Sequence, residues 1–235
     1  MSGVKGHMTA EGLEAKAEMM LKAYLGGNFG MLQAVNMERM AEEYFGLSVR
    51  YGPLSVQSVS VWKQTGLHFA DGSVHLIPAG TILVDDSLRS EKQRGRRNLA
   101  IAKECARQLL FWKEPDAEAR AARMLPVQSV VTPQQLRAAC TVNEWEVNTL
   151  ASAILMPAAV LNTILSLFYA DAPICVYGRG RFSASDSRLL DTLSSILGVT
   201  RSALVLRLWQ MHKIAVLPNP EVCSAGREKQ GRKAV

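Results

Sequence analysis

The sequence is poor in the residues that most often bind metals or form disulfides. It contains 4 cysteines and 4 histidines in 235 residues. No two cysteines form a CxxC pair, and no two histidines lie four residues apart, where one helix face would present both to a metal. We therefore expect reduced thiols, no histidine-based metal site, and a cytoplasmic protein.

Long uninterrupted apolar segments are also scarce. Residues 1–9 lack the apolar core of a secretory signal, and we expect them to be disordered. Residues 149–170 carry no charge and are long enough to cross a bilayer, but Pro157 and Asn162 interrupt them. Two buried helices explain this segment better than a membrane span, so no membrane partner is expected.

An excess of one charge sign occurs only near the C-terminus. Residues 1–175 contain 17 basic and 17 acidic side chains, whereas residues 176–235 contain 10 basic and 4 acidic ones. This excess fits a solvated basic tail, and it equally fits a surface for nucleic acid or an acidic protein. The composition, 48% apolar and 20% charged, excludes wholesale disorder.

Hydrophobic periodicity predicts helices first, then a small sheet, then further helices. The strands include a hairpin over residues 67–77 that turns at Asp71-Gly72. This order favours an α+β fold. The predicted helices span residues 10–25, 36–45, 96–112, 134–156, 158–169, 186–197 and 201–212. The predicted strands span residues 47–51, 56–62, 67–70, 74–77 and 81–84.

The same pattern divides the chain into four parts. After the N-terminus, we predict a domain over residues 10–175 and a helical, helix-turn-helix-like portion over residues 176–217. Residues 218–235 contain prolines, glycines and basic residues, which predict a flexible basic tail.

Two segments carry the strongest chemical signal. Residues 96–110 read RRNLAIAKECARQLL, and residues 144–157 read EWEVNTLASAILMP. They resemble the ImmA/IrrE family of metallopeptidases, whose members read roughly RRFTIAHELGH and ExxANxxAxxLMP at these places. The resemblance covers about residues 10–215. It implies a zincin-like fold, a minimal metallopeptidase domain in which a small sheet leads into the active-site helix.

The catalytic motif of this family is altered here to KECAR. In HExxH, two histidines one helical turn apart bind zinc, and the glutamate acts as general base; a carboxylate from the second helix usually completes the site. By this resemblance Lys103 and Arg107 occupy the histidine positions, Glu104 keeps a vestigial general-base position, and Glu144 keeps the third-ligand position. Arginine has no lone pair to donate, and lysine has one only when deprotonated. We therefore expect no metal, no other cofactor and impaired catalysis.

Lys103 and Arg107 together carry two positive charges, the same charge as a zinc ion. Lys103 and Arg107 lie at i and i+4, so both can face the second helix. We expect them to form an ion-pair cluster with Glu144, and Glu146 is a further candidate member. The alternative is that both cations point into solvent.

The resemblance also implies a kind of partner. Active relatives cleave or control helix-turn-helix repressors of phages and mobile elements, or act in stress responses. This implies a bacterial pseudo-peptidase that binds such a regulator in a groove beside the strand at residues 81–84, with Thr81 and Leu83 on its peptide-binding edge. Glu146 and Asn148 are further candidate binding residues, although Asn148 fits helix packing equally well.

Two other functions stay open at this stage. One is an active zinc endopeptidase with a rearranged metal site. The other is a DNA-binding regulator that uses the helix pair around Gly198, because Thr200 is a good N-cap and Arg201, Arg207 and Lys213 supply positive charge. Family members carry a similar run as part of the peptidase-like domain itself, where it completes the core.

Overall fold

The computed structural model confirms the predicted α+β class. Residues 1–7 of the predicted disordered N-terminus, residues 113–129 and the predicted basic tail at 218–235 lie outside the described residues, whereas Met8 and Thr9 are described and form hydrogen bonds. The structure describes residues 8–112, 130–139, 142–169, 173–178 and 180–217.

Two helices open the fold. α1 (Ala10–Leu25) begins after Thr9, whose side chain accepts a hydrogen bond from the Gly12 N–H at 3.2 Å. α2 (Met37–Glu43) begins after Asn36, whose side chain accepts from a backbone N–H of the first turn. Both helices bury an apolar face in the main core, as their periodicity predicts.

The first sheet has three strands in the order β1-β5-β2. β1 (Ser48–Gly52) pairs in parallel with the central strand β5 (Thr81–Asp85), and β2 (Ser58–Val61) pairs antiparallel to its other side. β2 and β5 are buried almost throughout, so this sheet forms part of the interior.

The predicted hairpin forms a second sheet. β3 (Thr65–His68) and β4 (Val74–Ile77) pair antiparallel, and the Asp71 side chain accepts from the Ser73 N–H at 2.9 Å within the turn. A short strand, β6 (Val130–Val131), adds in parallel to the other side of β3 and was not predicted.

α3 (Arg94–Trp112) carries the first motif and packs against the first sheet. The predicted helix over residues 134–156 is wrong as one element, because two helices occupy it. These are α4 (Pro133–Ala139) and α5 (Glu144–Leu155). The break has a local cause: the side chain of Asn143 accepts from the backbone N–H of Trp145 at 2.9 Å and so begins a new helix.

α5 carries the second motif and lies between α1 and α3. α6 (Ala158–Tyr169) follows after a bend of 56°. Among the residues that the structure describes, no single helix combines the length and apolarity that a membrane crossing requires. Much of this uncharged segment lies in the main core instead.

The C-terminal portion, predicted as helical, also contains a third sheet. β7 (Ile174–Tyr177) spans the predicted boundary at residue 175, pairs antiparallel with β8 (Arg181–Phe182) and pairs in parallel with β9 (Ile214–Leu217). Between them lie α7 (Ala184–Leu197) and α8 (Arg201–Gln210).

The turn between α7 and α8 packs against the start of α3. The side chain of Asn98 donates to the Gly198 carbonyl at 2.9 Å, and Gly198 has a left-handed φ of +62°. A Cβ atom at Gly95 would lie 2.6 Å from the Val199 carbonyl carbon and 2.7 Å from the Thr200 nitrogen. The α7–α8 pair is thus joined to the motif helix by close backbone packing.

Candidate binding site

Glu104 lies at the centre of the candidate site and is almost fully buried. α3 directs it toward β2, where the Ser58 hydroxyl donates to one carboxylate oxygen at 2.9 Å and the Ser60 hydroxyl donates to the other at 2.8 Å. Residues 58 and 60 alternate along one strand, so both hydroxyls face the same side. These donors satisfy a charge that would otherwise be costly to bury.

Arg107 connects Glu104 to the second motif. Its Nε atom lies 3.6 Å from a carboxylate oxygen of Glu104, one helical turn away. Its two terminal nitrogens donate to the two oxygens of Glu144 at the start of α5. The arginine side chain is 1% exposed, whereas that of Glu144 is 57% exposed. One guanidinium group therefore contacts carboxylates from both motif helices.

The contact with Arg107 lowers the pKa of Glu144. The hydrogen bond from Arg107 lowers the pKa of the Glu144 carboxyl below its ordinary value, against the opposing effect of partial burial. The positive charges of Arg137 and Lys103 act in the same direction. Glu144 is thus held in its ionised form.

Lys103 is half-buried and has no carboxylate within ion-pair distance in the described part of the chain. Burial lowers the pKa of its ammonium group, and the nearby positive charge of Arg137 lowers it further. Glu144 and Glu104 oppose this shift only in part. Arg107 therefore joins Glu144 and Glu104, as expected for it. Lys103 forms no direct ion pair with a carboxylate among the described residues, so its expected ion pair with Glu144 is wrong.

A zinc ion does not fit these residues. The position at which the resemblance to HExxH would put the second histidine holds a guanidinium, which has no lone pair and lies between the two carboxylates. Glu104 accepts from two hydroxyls and contacts this cation. Within the described ranges, no group of three histidine, cysteine, aspartate or glutamate side chains is placed to hold a metal ion.

Cys105 does not add a nucleophile to this site. Its side chain is fully buried in the main core, and burial raises the pKa of its thiol far above the ordinary value. A reactive cysteine requires the thiolate form. Cys105 is therefore a packing residue of the main core.

The remaining candidates of the second motif point elsewhere. Glu146 accepts a hydrogen bond from the Met8 N–H at 2.8 Å, on a different side of α5 from Glu144. Asn148 is partly buried within the same helix. Trp145 is 49% exposed and follows Glu144 in the chain.

The prediction that residues 81–84 form an open peptide-binding edge is wrong. β5 is the central strand, and hydrogen bonds to β1 and β2 occupy both of its edges. Thr81 and Leu83 are 1% and 2% exposed, so neither can contact a partner. Their place in an unbroken apolar run is typical of a strand that is buried on both faces.

The prediction that Arg207 contacts DNA is also wrong. Its side chain is 3% exposed and donates to both carboxylate oxygens of Glu14 on α1, one of them at 2.7 Å. Its Nε atom donates to the Met156 carbonyl at 3.1 Å. This guanidinium group holds α8 against α1 and the end of α5, so it is not available to a phosphate.

The other two predicted nucleic-acid residues are only partly accessible. Arg201 donates to Asp191 at 3.2 Å and lies 5.6 Å from the ring centre of Phe182. Lys213 lies directly before β9 and lines a cavity of about 510 Å³, which Trp145 also lines. The exposed face of α8 carries apolar Leu206 and Trp209.

Sequence reasoning missed three residues of the site. Ser58 and Ser60 lie within the predicted strand over residues 56–62, and Arg137 lies within the predicted helix over residues 134–156, but none of them was named as a site residue. The signal for the serines was their spacing of two beside apolar Val59 and Val61, which places both hydroxyls on one strand face. Nothing in the sequence indicates that α4 lies close to Lys103.

Comparison with known proteins gives little further information. No family model and no curated protein matches the chain. Among solved structures, the chain is similar to a Mycobacterium tuberculosis transcriptional regulator, with 17% identity and a TM-score of 0.44. The match covers 83% of this chain and 46% of that one, so the chain spans about half the length of the regulator.

Proposed function

We propose that this protein is a catalytically impaired, ImmA/IrrE-type pseudo-peptidase with a zincin-like fold that regulates a protein partner by binding it. One observation carries the proposal: the Arg107 guanidinium contacts the carboxylates at both the general-base and the third-ligand positions of the motif. In an active relative, a metal ion would supply the positive charge between such carboxylates.

The charges of the site explain how the two motif helices can be held together without a metal ion. A buried carboxylate needs a cation or several hydrogen-bond donors, and Glu104 has both. Arg107 provides the cation from the same helix, so the two motif helices stay joined. Glu104 is thereby held in a hydrogen-bonded, ion-paired state, in which it has no metal-activated water to deprotonate.

The partner surface we propose differs from the edge that the sequence suggested. It is the exposed start of α5, where Glu144 and the half-exposed Trp145 follow one another and the Trp145 side chain lines the cavity beside α1. Aromatic and arginine side chains are enriched at the centres of protein interfaces. A helix-turn-helix repressor of a mobile element or of a stress response is the partner that the family resemblance suggests.

Metal analysis and partner capture together test this function. Protein purified without chelators should contain far less than one equivalent of zinc, and it should not cleave captured partners. Full-length protein carrying an affinity tag should capture a repressor, identified by mass spectrometry, in intact form. Trp145→Ala should reduce capture, whereas Trp209→Ala, which changes an exposed indole on α8, should not.

The two rival functions predict different results in the same assays. Near-stoichiometric zinc and chelator-sensitive cleavage would establish an active endopeptidase and reject the proposal. A salt-dependent shift of duplex DNA that disappears in Arg201→Ala would support a DNA-binding regulator. The burial of Arg207 against Glu14 disfavours this second alternative.

A further inference from the structure

A cavity of about 510 Å³ opens between α1, α5, α6 and the turn that joins α8 to β9. Three of these helices each present two residues one turn apart, which are Ala10 and Glu14, Trp145 and Thr149, and Arg207 and Met211. Small-molecule sites have volumes of roughly 300–1,000 Å³, so the cavity is large enough to hold a ligand. None of Glu104, Arg107 and Glu144 lines it, so it is separate from the ion cluster of the motif helices.

Two buried polar residues lie against this cavity. The Arg207 side chain is 3% exposed, and Glu14 on α1 accepts from both of its terminal nitrogens. Thr149 is 5% exposed, yet its hydroxyl forms no hydrogen bond with any residue that the structure describes. A buried hydroxyl without a partner is costly, so we expect an occupant of the cavity to bond with Thr149.

The backbone turns sharply at the end of α8, where it lines the cavity. His212 has a φ of +56°, and it is the only non-glycine residue with a positive φ in the described ranges. The N–H of Lys213, which follows it, donates to the Leu208 carbonyl at 2.8 Å. Non-glycine residues seldom adopt this conformation, and those that do cluster at functional sites. The turn places His212 and Lys213 in the lining of the cavity.

The carboxylate, ammonium and guanidinium groups of the cavity balance in charge, but only half of them are paired. Glu14 and Arg207 form one ion pair. Glu11 on α1 and Lys213 before β9 also line the cavity, and neither forms an ion pair with another described residue. A ligand with a single charge would leave one of these two groups unmatched, whereas a ligand with both charges would match each.

We infer that this cavity binds a short peptide in its zwitterionic form, with both termini free. The N-terminal ammonium group of the peptide pairs with Glu11, and its C-terminal carboxylate pairs with Lys213. At about 30 Å³ for each water-sized group, the cavity of about 510 Å³ holds about 17 groups, which is the size of a tripeptide. This ligand is a small molecule, so its binding does not require the protein partner proposed above.

The uncharged part of the lining matches the middle of such a peptide. Thr149 supplies its unpartnered hydroxyl, and the amides of Asn162 and Gln210 can both donate and accept hydrogen bonds. A peptide group needs such donors and acceptors when it leaves water. The indole of Trp145, which is 49% exposed, offers an apolar face on which a side chain of the peptide packs.

Trialanine tests this site beside three blocked forms, which are N-acetylated, C-amidated, or both. Full-length protein with 15N-labelled tryptophan reports binding through the indole N–H signal of Trp145, one of 4 tryptophans. Trp145→Phe assigns that signal by its disappearance and keeps an aromatic ring in the wall of the cavity. Trialanine should shift the signal saturably. Each single block should raise the Kd about tenfold or more, the effect of removing one charged hydrogen bond.

Two variants identify the groups that hold the two termini. Glu11→Gln should raise the Kd of trialanine about tenfold but leave that of the acetylated peptide unchanged, because this peptide has no ammonium group to lose. Lys213→Met should likewise weaken trialanine and leave the Kd of the amidated peptide unchanged. Glu18→Gln and Lys22→Met remove the same charges from an exposed pair elsewhere on α1, and neither should change the binding.

The inference is overturned if trialanine causes no saturable shift at millimolar concentration, or if the doubly blocked peptide binds equally well. It is also overturned if trialanine binds Glu11→Gln or Lys213→Met as tightly as it binds the unaltered protein. The blocked peptides test both charges on the unaltered protein, so the result does not depend on the folding of any variant. These measurements need no protein partner, so their failure leaves the proposed function standing. Zinc-dependent cleavage of a captured partner would reject the proposed function and leave the peptide site intact.

Discussion

Replacing Arg107 with methionine tests the central ion cluster most directly. The change keeps a buried apolar stem but leaves Glu104 without its cation, and both side chains are 1% exposed. Removing one partner of a buried ion pair costs about 3–5 kcal/mol. Ser58 and Ser60 still donate to the carboxylate, so we expect the lower end, about 3 kcal/mol. For a chain of this size that lowers Tm by about 6–12 °C.

Urea unfolding followed by circular dichroism measures this loss, and a second substitution identifies its cause. Glu104→Gln in the Arg107→Met background removes the unpaired charge, so the double variant should be more stable than Arg107→Met alone.

The control for this experiment is Arg39→Met, which changes an exposed arginine paired with Glu43. Its unfolding curve should stay within error of the unaltered protein, because exposed ion pairs contribute little. If Arg107→Met costs no more than Arg39→Met, or if the double variant is the less stable one, then Arg107 does not compensate a buried charge and the reasoning fails.

Three further perturbations follow from the packing and the electrostatics. Arg207→Met should cost about 1–3 kcal/mol in urea unfolding, because the partly exposed Glu14 carboxylate and the buried Met156 carbonyl lose their donor. A loss below about 1 kcal/mol would contradict a stabilising role of Arg207. Gly95→Ala should cost about 1–3 kcal/mol through overpacking, whereas Gly12→Ala, whose new Cβ has no contact closer than 3.5 Å, should be neutral or stabilising. In an NMR titration, the pKa of the Glu144 carboxyl should lie below the ordinary value of about 4.3. The stabilisation that its carboxylate provides should therefore persist at neutral pH and be lost as the pH falls through the lowered pKa. Arg107→Met should return the pKa of Glu144 toward the ordinary value.

The sequence predicted most of the first half of the fold because its signals are local. Thr9 and Asn36 begin helices through side-chain caps, and Asp71-Gly72 turns a hairpin. These features depend on residues that lie within a few positions of one another. The third sheet was missed because its strands have two to four residues and come from distant parts of the chain.

The motif predicted which residues meet at the site but not how their charges are shared. The i and i+4 spacing treats Lys103 and Arg107 as equivalent, yet only Arg107 contacts both carboxylates. The difference depends on where α5 begins and on the position of α4. For Arg207 a signal was present, because Leu204, Arg207 and Leu208 follow the spacing of a buried helix face. Its partner Glu14 lies 193 residues away and could not be inferred.

The two strands that pair with β7 are synthesised at different times. β8 emerges almost directly after β7, but 36 residues, which include β8, α7 and α8, separate the end of β7 from the start of β9. A ribosome adds about 5–20 residues each second, so one edge of β7 waits about 2–7 seconds for its parallel neighbour. During that interval two nascent chains on one messenger can join through this open edge. Slow translation across α7 and α8 should therefore increase misassembly, and faster translation should reduce it.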